Sequence, residues 1–224
     1  MDDDPILGVR PPETLTRGKV DARWPIDWTA VWEALESLPS PELARRTAAF
    51  DRLEAAGVVR YSPLAAYVCA TRLTEPAIEL RTRIVQALAE ALSPDEQGQQ
   101  APENVRSTLT NYLAAMRTRP IFALLQVVDF DKTAEPWVAR LLSFCSFAGG
   151  HLADILSNRQ APLAIRKQAA FYIGRIGYLD ALPALERMAA RLESRFNAGG
   201  LMRPEDETSL LPLIQDALSV LRAP

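Results

Sequence analysis

The stretch of sequence that most constrains the fold covers residues 162–190 and reads PLAIRKQAAFYIGRIGYLDALPALERMAA. Apolar residues recur in it every three or four positions, which is the spacing of one face of an α-helix. The first helix starts near Pro162 and carries this stripe at Ile165, Ala169, Ile173 and Ile176. Gly177 predicts the end of that helix, and Asp180 predicts the N-cap of a second one. Because so few residues join the two helices, we expect them to pack antiparallel.

A second stripe on the first of these helices consists only of small residues, Ala170, Gly174 and Gly177. A glycine inside a helix costs about 1 kcal/mol relative to alanine, and the close approach of a neighbouring helix is the usual compensation. The sequence therefore predicts that another helix packs closely against this stripe.

The 25 residues IRKQAAFYIGRIGYLDALPALERMA within this stretch resemble the HEAT-like repeat, particularly the short bacterial form also found in bilin-lyase-related proteins. The matching residues are Ile165, Arg166, Ala169, Ala170, Ile173, Gly174, Ile176, Gly177, Asp180, Ala181, Leu182, Pro183 and Leu185. The resemblance implies an all-α fold, a right-handed α-solenoid built from stacked helical hairpins. Position 171 is polar in such repeats, whereas this chain has Phe171.

A proline followed four residues later by an arginine recurs along the chain, at Pro41/Arg45, Pro102/Arg106, Pro136/Arg140, Pro162/Arg166 and Pro183/Arg187. Pro76/Arg81 is a variant with one extra residue. Helix starts that recur every 25–35 residues or so are typical of stacked hairpins. We expect roughly 11 helices in about five irregular HEAT-like hairpins. The arginines are expected to cap or bridge neighbouring repeats rather than to bind a ligand.

The pattern places nine further helices outside the 162–190 pair, at residues 25–38, 41–56, 63–73, 76–92, 102–116, 120–130, 135–147, 150–158 and 207–221. Residues 1–23 have no helical period and are expected to form an extended or disordered arm. Residues 24–224 are expected to form a single helical repeat domain. Residues 197–206 predict a long loop before the last helix.

The segment PELARRTAAF at residues 41–50 resembles PLAIRKQAAF at residues 162–171, which aligns Arg45 with Arg166. The alignment then slips, because Arg52 falls where Ile173 should be. The spacing of the apolar residues predicts that Phe50 faces the core, unlike Phe171.

Three tryptophans, Trp24, Trp28 and Trp32, follow one another at intervals of four residues and share one side of the first predicted helix. We interpret this stripe as core that covers an open end of the solenoid. The alternative is an apolar surface that binds a partner.

The 224 residues are enough to bury a full core, and no run of 18 apolar residues predicts a membrane-spanning helix. The acidic start MDDDPILGVRPPETL lacks the basic and apolar regions of a secretory signal. Cys69 and Cys145 lie in apolar helical contexts, which predicts two buried free thiols in a reducing compartment. We therefore expect a cytoplasmic protein.

The net charge of −3 is unevenly distributed along the sequence. Residues 1–112 carry 12 basic and 17 acidic groups, whereas residues 113–224 carry 13 and 11. Within residues 159–203, eight basic residues face three acidic ones, which makes this segment locally basic.

No residue pattern in the sequence predicts catalysis, a cofactor or a metal. His151 is the single histidine, and a nucleophilic pair with Cys145 would need hydrogen-bond reach and a third orienting group. The bend predicted at Gly149 and Gly150 opposes that geometry. One histidine and two distant cysteines do not build a tetrahedral metal site, and no glycine-rich phosphate loop is present.

The sequence therefore favours a non-enzymatic scaffold or adaptor that binds another protein, either alone or as a subunit of a larger assembly with the N-terminal arm as its tether. The predicted binding surface is an outward stripe with two aromatic residues and two basic ones, Lys167, Phe171, Arg175 and Tyr178. The alternative for this stripe is that the last loop and helix cover it.

Two other kinds of function follow from the family resemblance, and the basic segment over residues 159–203 also argues for the first of them. HEAT-like repeats imply nucleic-acid binding or an activity like that of alkylpurine DNA glycosylases, although a net charge of −3 opposes phosphate binding. The likeness to bilin-lyase-related repeats implies a chromophore role, for which the chain shows no site residues.

Overall fold

A computed structural model describes residues 26–197 and 207–223 of the chain. The predicted arm over residues 1–23, Trp24 and nearly all of the predicted loop over residues 197–206 lie outside this described part. All regular secondary structure within it is helical. The prediction of an all-α fold is therefore confirmed.

The described residues form twelve α-helices and three short 3₁₀ helices. The α-helices are α1 (Trp28–Ser37), α2 (Leu43–Ala55), α3 (Val58–Tyr61), α4 (Pro63–Thr71), α5 (Ile78–Ala91), α6 (Glu103–Ala114), α7 (Thr118–Phe130), α8 (Glu135–Ser143), α9 (Ala148–Ser157), α10 (Leu163–Ile176), α11 (Leu182–Asn197) and α12 (Leu211–Leu221). The 3₁₀ helices are Lys132–Ala134, Leu179–Ala181 and Glu207–Leu210.

The chain divides into two compact units, with the boundary between Tyr112 and Leu113. We call them the first and the second unit, and α6 contains the boundary. The prediction of one repeat domain over residues 24–224 stays a prediction.

One helix in the first unit, α3, was not expected from the sequence. Gly57 ends α2 with a left-handed backbone (φ 63°), as a helix-ending glycine does, and α3 starts at the next residue. Within α3, Arg60 donates from Nη1 to the carbonyl oxygens of Glu90 and Ser93, each at 2.9 Å. Glu90 is in the last turn of α5 and Ser93 follows the end of that helix, so the short helix caps the C-terminus of a longer one.

The core of the first unit forms where α1 packs on α2 and where α3 packs on α4 and α5. Phe50 and Leu53 of α2 are fully buried, which confirms that Phe50 faces the core. On the predicted tryptophan stripe, Trp28 and Trp32 are only half-buried. The Nε1–H of Trp32 donates to Glu36 at 2.9 Å.

Helix α10 lies at the centre of the second unit and packs against α7, α8, α9 and α12. Its predicted apolar stripe is buried at Ile165, Ala169 and Ile173. Tyr172 is also buried, and its hydroxyl donates to the carbonyl oxygen of Glu135 at 3.3 Å. This tyrosine ties α10 to the start of α8.

The stripe of small residues on α10 receives the last helix, α12. A Cβ atom added to Gly174 would lie 2.8 Å from the Cα of Ala217, a distance that side chains do not tolerate. The predicted close approach of a neighbouring helix is therefore confirmed. Gly177 has φ 88° and ends α10, as predicted.

The two helices of the 162–190 stretch, α10 and α11, were expected to pack on each other because only a short turn joins them. Instead, each packs mainly against other helices. Helix α10 packs mainly against α9 and α12, and α11 packs mainly against α12. The reason is that the small stripe of α10 is filled by α12, while the 3₁₀ helix Leu179–Ala181 between them packs on α9.

The prediction that Asp180 caps the helix following it is wrong. Asp180 belongs to the 3₁₀ helix Leu179–Ala181, and its Oδ2 accepts a hydrogen bond from the backbone N–H of Gly150 at 3.0 Å. Gly150 is in the first turn of α9, so Asp180 caps a helix 30 residues earlier. The predicted bend at Gly149 and Gly150 is instead this first turn, and any side chain at Gly149 would overlap the Asp180 carboxylate.

The contact between Gly174 and Ala217 predicts an unusual response to helix-favouring substitutions. Gly174→Ala would gain about 1 kcal/mol from helix propensity but overpack the contact, which costs about 1–3 kcal/mol. We expect a lower free energy of unfolding in urea. The double variant Gly174→Ala/Ala217→Gly removes only the Cβ of Ala217 and leaves the 2.8 Å overlap with its Cα, so it is not expected to regain this loss. A single Gly174→Ala variant more stable than the natural chain would contradict the close approach.

Candidate functional site

Three buried arginines occupy the same position in three helices. Arg46, Arg81 and Arg166 are each the fourth residue of their helix, in α2, α5 and α10 respectively. Side chains in a helix point back toward its N-terminus, so these arginines reach the segment that precedes the helix. The shared position supports the idea that the arginines have one common structural role.

Each of these arginines donates to a backbone carbonyl group of the preceding segment. Arg46 Nη1 bonds the oxygen of Ser40 at 2.9 Å, Arg81 Nε that of Glu75 at 2.6 Å, and Arg166 Nε that of Leu156 at 2.7 Å. Arg81 and Arg166 therefore join the start of their helix to the segment before it, while the predicted bridging of neighbouring repeats stays a prediction.

Arg45, by contrast, is exposed and pairs with Glu42 at 3.1 Å. Arg46, its neighbour, has the buried role. Matching Arg46 rather than Arg45 to Arg166 also removes the slip in the sequence alignment, because Leu53 then corresponds to Ile173, and both are fully buried.

In the first unit, Arg46 and Arg72 surround the buried carboxylate of Glu75. Arg46 donates from Nη2 at 2.7 Å and from Nε at 3.1 Å, Arg72 donates from Nη2, and the backbone N–H of Ala77 donates at 3.2 Å. Burial alone would raise the pKa of Glu75, but the hydrogen bonds from the two arginines and Ala77 outweigh it and hold this pKa below its ordinary value. Glu75 is thus a charged group in the interior.

In the second unit, four arginines converge on the carboxylate of Glu207, which starts the 3₁₀ helix Glu207–Leu210. The shortest distances from their nitrogens to its oxygens are 2.6 Å for Arg166, 2.9 Å for Arg191, 2.9 Å for Arg195 and 3.7 Å for Arg159. Burial raises the pKa of Glu207, but the hydrogen bond from Arg166 and the charges of Arg191, Arg166 and Arg159 bring it below its usual value. We call these five residues the arginine cluster.

The sequence predicted the basic segment over residues 159–203. It did not predict that four arginines of this segment converge on Glu207. A signal was present in α11, where Arg191 and Arg195 are four residues apart and therefore share a face of the helix. Glu207 carried no comparable signal, because it lies 41 residues after its closest partner, Arg166.

Two of the four predicted surface residues, Phe171 and Arg175, contact each other on α10. The guanidinium carbon of Arg175 lies 5.6 Å from the centre of the Phe171 ring, within the range of a cation–π contact. Arg175 also pairs with Glu135 at 3.0 Å. Phe171 is half-buried, and its ring meets that of Tyr172 edge-on at 5.3 Å.

The other two predicted residues are less free than the sequence indicated. Tyr178 is half-buried, and its hydroxyl donates to the carbonyl oxygen of Leu142. Burial raises its pKa well above the ordinary value. Lys167 is also half-buried. The structure thus shows a partly covered stripe, with Arg175 as its exposed member.

Two exposed apolar side chains flank the contact between Tyr178 and α9. Gly149 of α9 lies against the Cβ of Tyr178. Phe147 is two residues before Gly149 in the sequence, and Leu179 directly follows Tyr178. Phe147 is 70 % exposed and Leu179 is 65 % exposed. Sequence reasoning missed both, because an exposed turn residue has no periodic signal.

The two residues considered for nucleophilic chemistry have different surroundings. Cys145 is a buried free thiol, and burial raises its pKa, which opposes the nucleophilic thiolate form. The Nδ1 of His151 lies 3.0 Å from the hydroxyl oxygen of Thr118. Thr118 lines a groove of about 360 Å³, together with Arg119, Phe122 and Asp154.

Cys69 is likewise buried and free, and burial raises its pKa to about 12. The expectation of two buried free thiols is confirmed. Within residues 26–197 and 207–223, no three acidic, cysteine or histidine side chains are grouped as metal ligands would be. No helix in the same ranges has the length and apolar character needed to cross a membrane.

Comparison of the chain with protein-family models, with characterised proteins and with solved structures finds no match in any of the three. The site must therefore be interpreted from its own geometry.

The buried carboxylate of Glu75 predicts acid sensitivity of the first unit. Because its pKa is lowered in the folded state, Glu75 contributes stability above its unfolded pKa of about 4.3, and this contribution is lost as the pH falls through the folded value. Glu75→Gln is expected to lower the free energy of unfolding at pH 7 by about 3 kcal/mol, because buried arginines lose their counter-charge.

Urea denaturation at pH 7 and at about pH 3 measures both effects, with Glu79→Gln, an exposed change in the same region, as the matched control. The Glu75→Gln variant is expected to lose less stability on acidification than the natural chain. Equal losses in the two chains would contradict a charged Glu75.

Proposed function

We propose that this chain is a non-enzymatic, cytoplasmic HEAT-like repeat protein, a right-handed α-solenoid, that acts as a scaffold or adaptor by binding another protein. Helices at the predicted places support the repeat architecture. Further support comes from the arginine at the fourth helix position, which recurs in α2, α5, α6 and α10.

The observation that carries the binding proposal is the contact of Arg175 with Phe171 on α10. Arginine and large aromatic residues are the types enriched at the centres of protein interfaces. Here the guanidinium is held on two sides, by the Phe171 ring and by Glu135. A side chain that is already ordered loses less conformational entropy on binding, which favours affinity.

The partner that fits this surface is an acidic protein segment with apolar side chains. Lys167 and Arg175 belong to the basic segment over residues 159–203, whose positive charge complements an acidic partner. The exposed side chains of Phe147 and Leu179 in the same unit provide apolar contact area.

Protein binding is preferred over the nucleic-acid alternative because neutralisation of phosphates drives DNA binding. The chain as a whole has a charge of −3, and its first 112 residues have an excess of five acidic groups. The glycosylase-like and chromophore roles gain no specific residue from the structure.

The double variant Phe171→Ala/Arg175→Glu tests the surface in affinity purification of the tagged full-length protein from its native cells. Reversal of the charge and removal of the ring are expected to abolish recovery of acidic partner proteins. The matched control, Arg187→Glu/Val220→Ala, makes the same kinds of change at exposed positions of α11 and α12 and is expected to retain them. A folded Phe171→Ala/Arg175→Glu variant that recovers the same partners in equal amounts would disprove the assignment.

A further inference from the structure

The arginine cluster holds more positive charge than its carboxylate neutralises. The formal charges of Arg159, Arg166, Arg191, Arg195 and Glu207 sum to +3. The corresponding group in the first unit is more enclosed, since the side chains of Arg46 and Arg72 beside Glu75 are 9 % and 24 % exposed. Among the residues that the structure describes, an excess of this size around one carboxylate favours a further anion.

The cluster also has hydrogen-bond donors to spare among the described residues. The Nε of Arg191 is buried without an acceptor, and so are the hydroxyl groups of Thr208 and Ser209, the two residues that follow Glu207. Buried polar groups are normally hydrogen-bonded. The unsatisfied Nε of Arg191, which belongs to the cluster, therefore indicates a place for an additional acceptor.

One side of the cluster is open to solvent. The side chain of Arg166 is 5 % exposed, and Thr208 is buried. In contrast, the side chains of Arg159 and Arg195 are 62 % and 50 % exposed. An anion from solution therefore reaches Arg159 and Arg195 without any unfolding, while the buried side keeps Glu207 in its contact with Arg166.

We propose that the arginine cluster is a binding site for a phosphomonoester dianion, which is bound by Arg159, Arg191 and Arg195. Arginine forks match phosphate oxygens in a bidentate manner. A phosphomonoester has three acceptor oxygens and a charge of about −1.5 to −2 at pH 7, so it takes up more of the spare donors and charge than a second carboxylate. A phosphodiester of nucleic acid has only one charge per phosphate and fits this excess less well.

This inference goes beyond the proposed protein-binding surface, and none of the four residues of that surface, Lys167, Phe171, Arg175 and Tyr178, belongs to the arginine cluster. The two proposals therefore fail independently, since one is tested on α10 and the other on α11. The phosphate group has two sources, a small phosphorylated molecule in solution or a phosphorylated side chain of another protein.

The test is isothermal titration of the full-length protein with inorganic phosphate at pH 8 and constant ionic strength, with chloride as the balancing ion. We expect saturable binding that Arg191→Gln/Arg195→Gln weakens by about tenfold or more. The control Arg140→Gln/Arg187→Gln removes two exposed arginines of the second unit outside the cluster and is expected to bind like the natural chain. Equal affinity in the two double variants would mean an adventitious ion only and would overturn the site.

A second arm of the experiment separates the sources of the phosphate. A phosphoserine peptide is titrated beside its unphosphorylated twin and beside a single-stranded DNA oligonucleotide. Tighter binding of the phosphopeptide than of inorganic phosphate assigns the site to a phosphorylated protein, and equal binding assigns it to small phosphorylated molecules. Cluster-dependent binding of the oligonucleotide that exceeds both would overturn the preference for a phosphomonoester.

Discussion

Arginine side chains buried near the starts of helices are the contacts on which the arrangement of each unit depends. Arg46, Arg81 and Arg166 each cross from the fourth residue of a helix to a backbone carbonyl group of the segment before it. A buried guanidinium is stable only if its donors and its charge are satisfied. Each such arginine therefore joins the start of its helix to the segment before it.

In both units, buried arginines pair with a glutamate, but the number of arginines around the glutamate and their exposure differ. In the first unit, the carboxylate of Glu75 is buried beside Arg46 and Arg72, and the charges serve the interior. In the second unit, Glu207 meets arginines that are partly exposed, so the same chemistry lies at the surface. The first arrangement stabilises the fold, whereas the second combines a structural contact with arginines that are exposed to solvent. This difference is the reason why only the second is proposed as a binding site.

Helical periodicity was enough to predict the all-α fold, most helix positions and the close approach at Gly174, because those depend on neighbours in the sequence. Helix α3 was missed since four residues contain barely one period. The Arg45–Arg46 pair was misassigned because either arginine fits the local pattern, and the choice depends on Glu75, 29 residues away. Asp180 and Glu207 were missed for the same physical reason: their partners lie 30 and 41 residues away, at distances where periodicity gives no information.

The central role of the buried arginines is tested most directly by the free energy of unfolding of Arg166→Lys, measured in urea beside Arg187→Lys. Lysine keeps the positive charge but lacks the guanidinium group, whose separate nitrogens bond the carbonyl of Leu156 and the carboxylate of Glu207. We predict that Arg166→Lys loses about 1.5–3 kcal/mol, whereas the exposed Arg187→Lys changes by less than about 0.5 kcal/mol. Equal free energies of unfolding for the two variants would contradict the account.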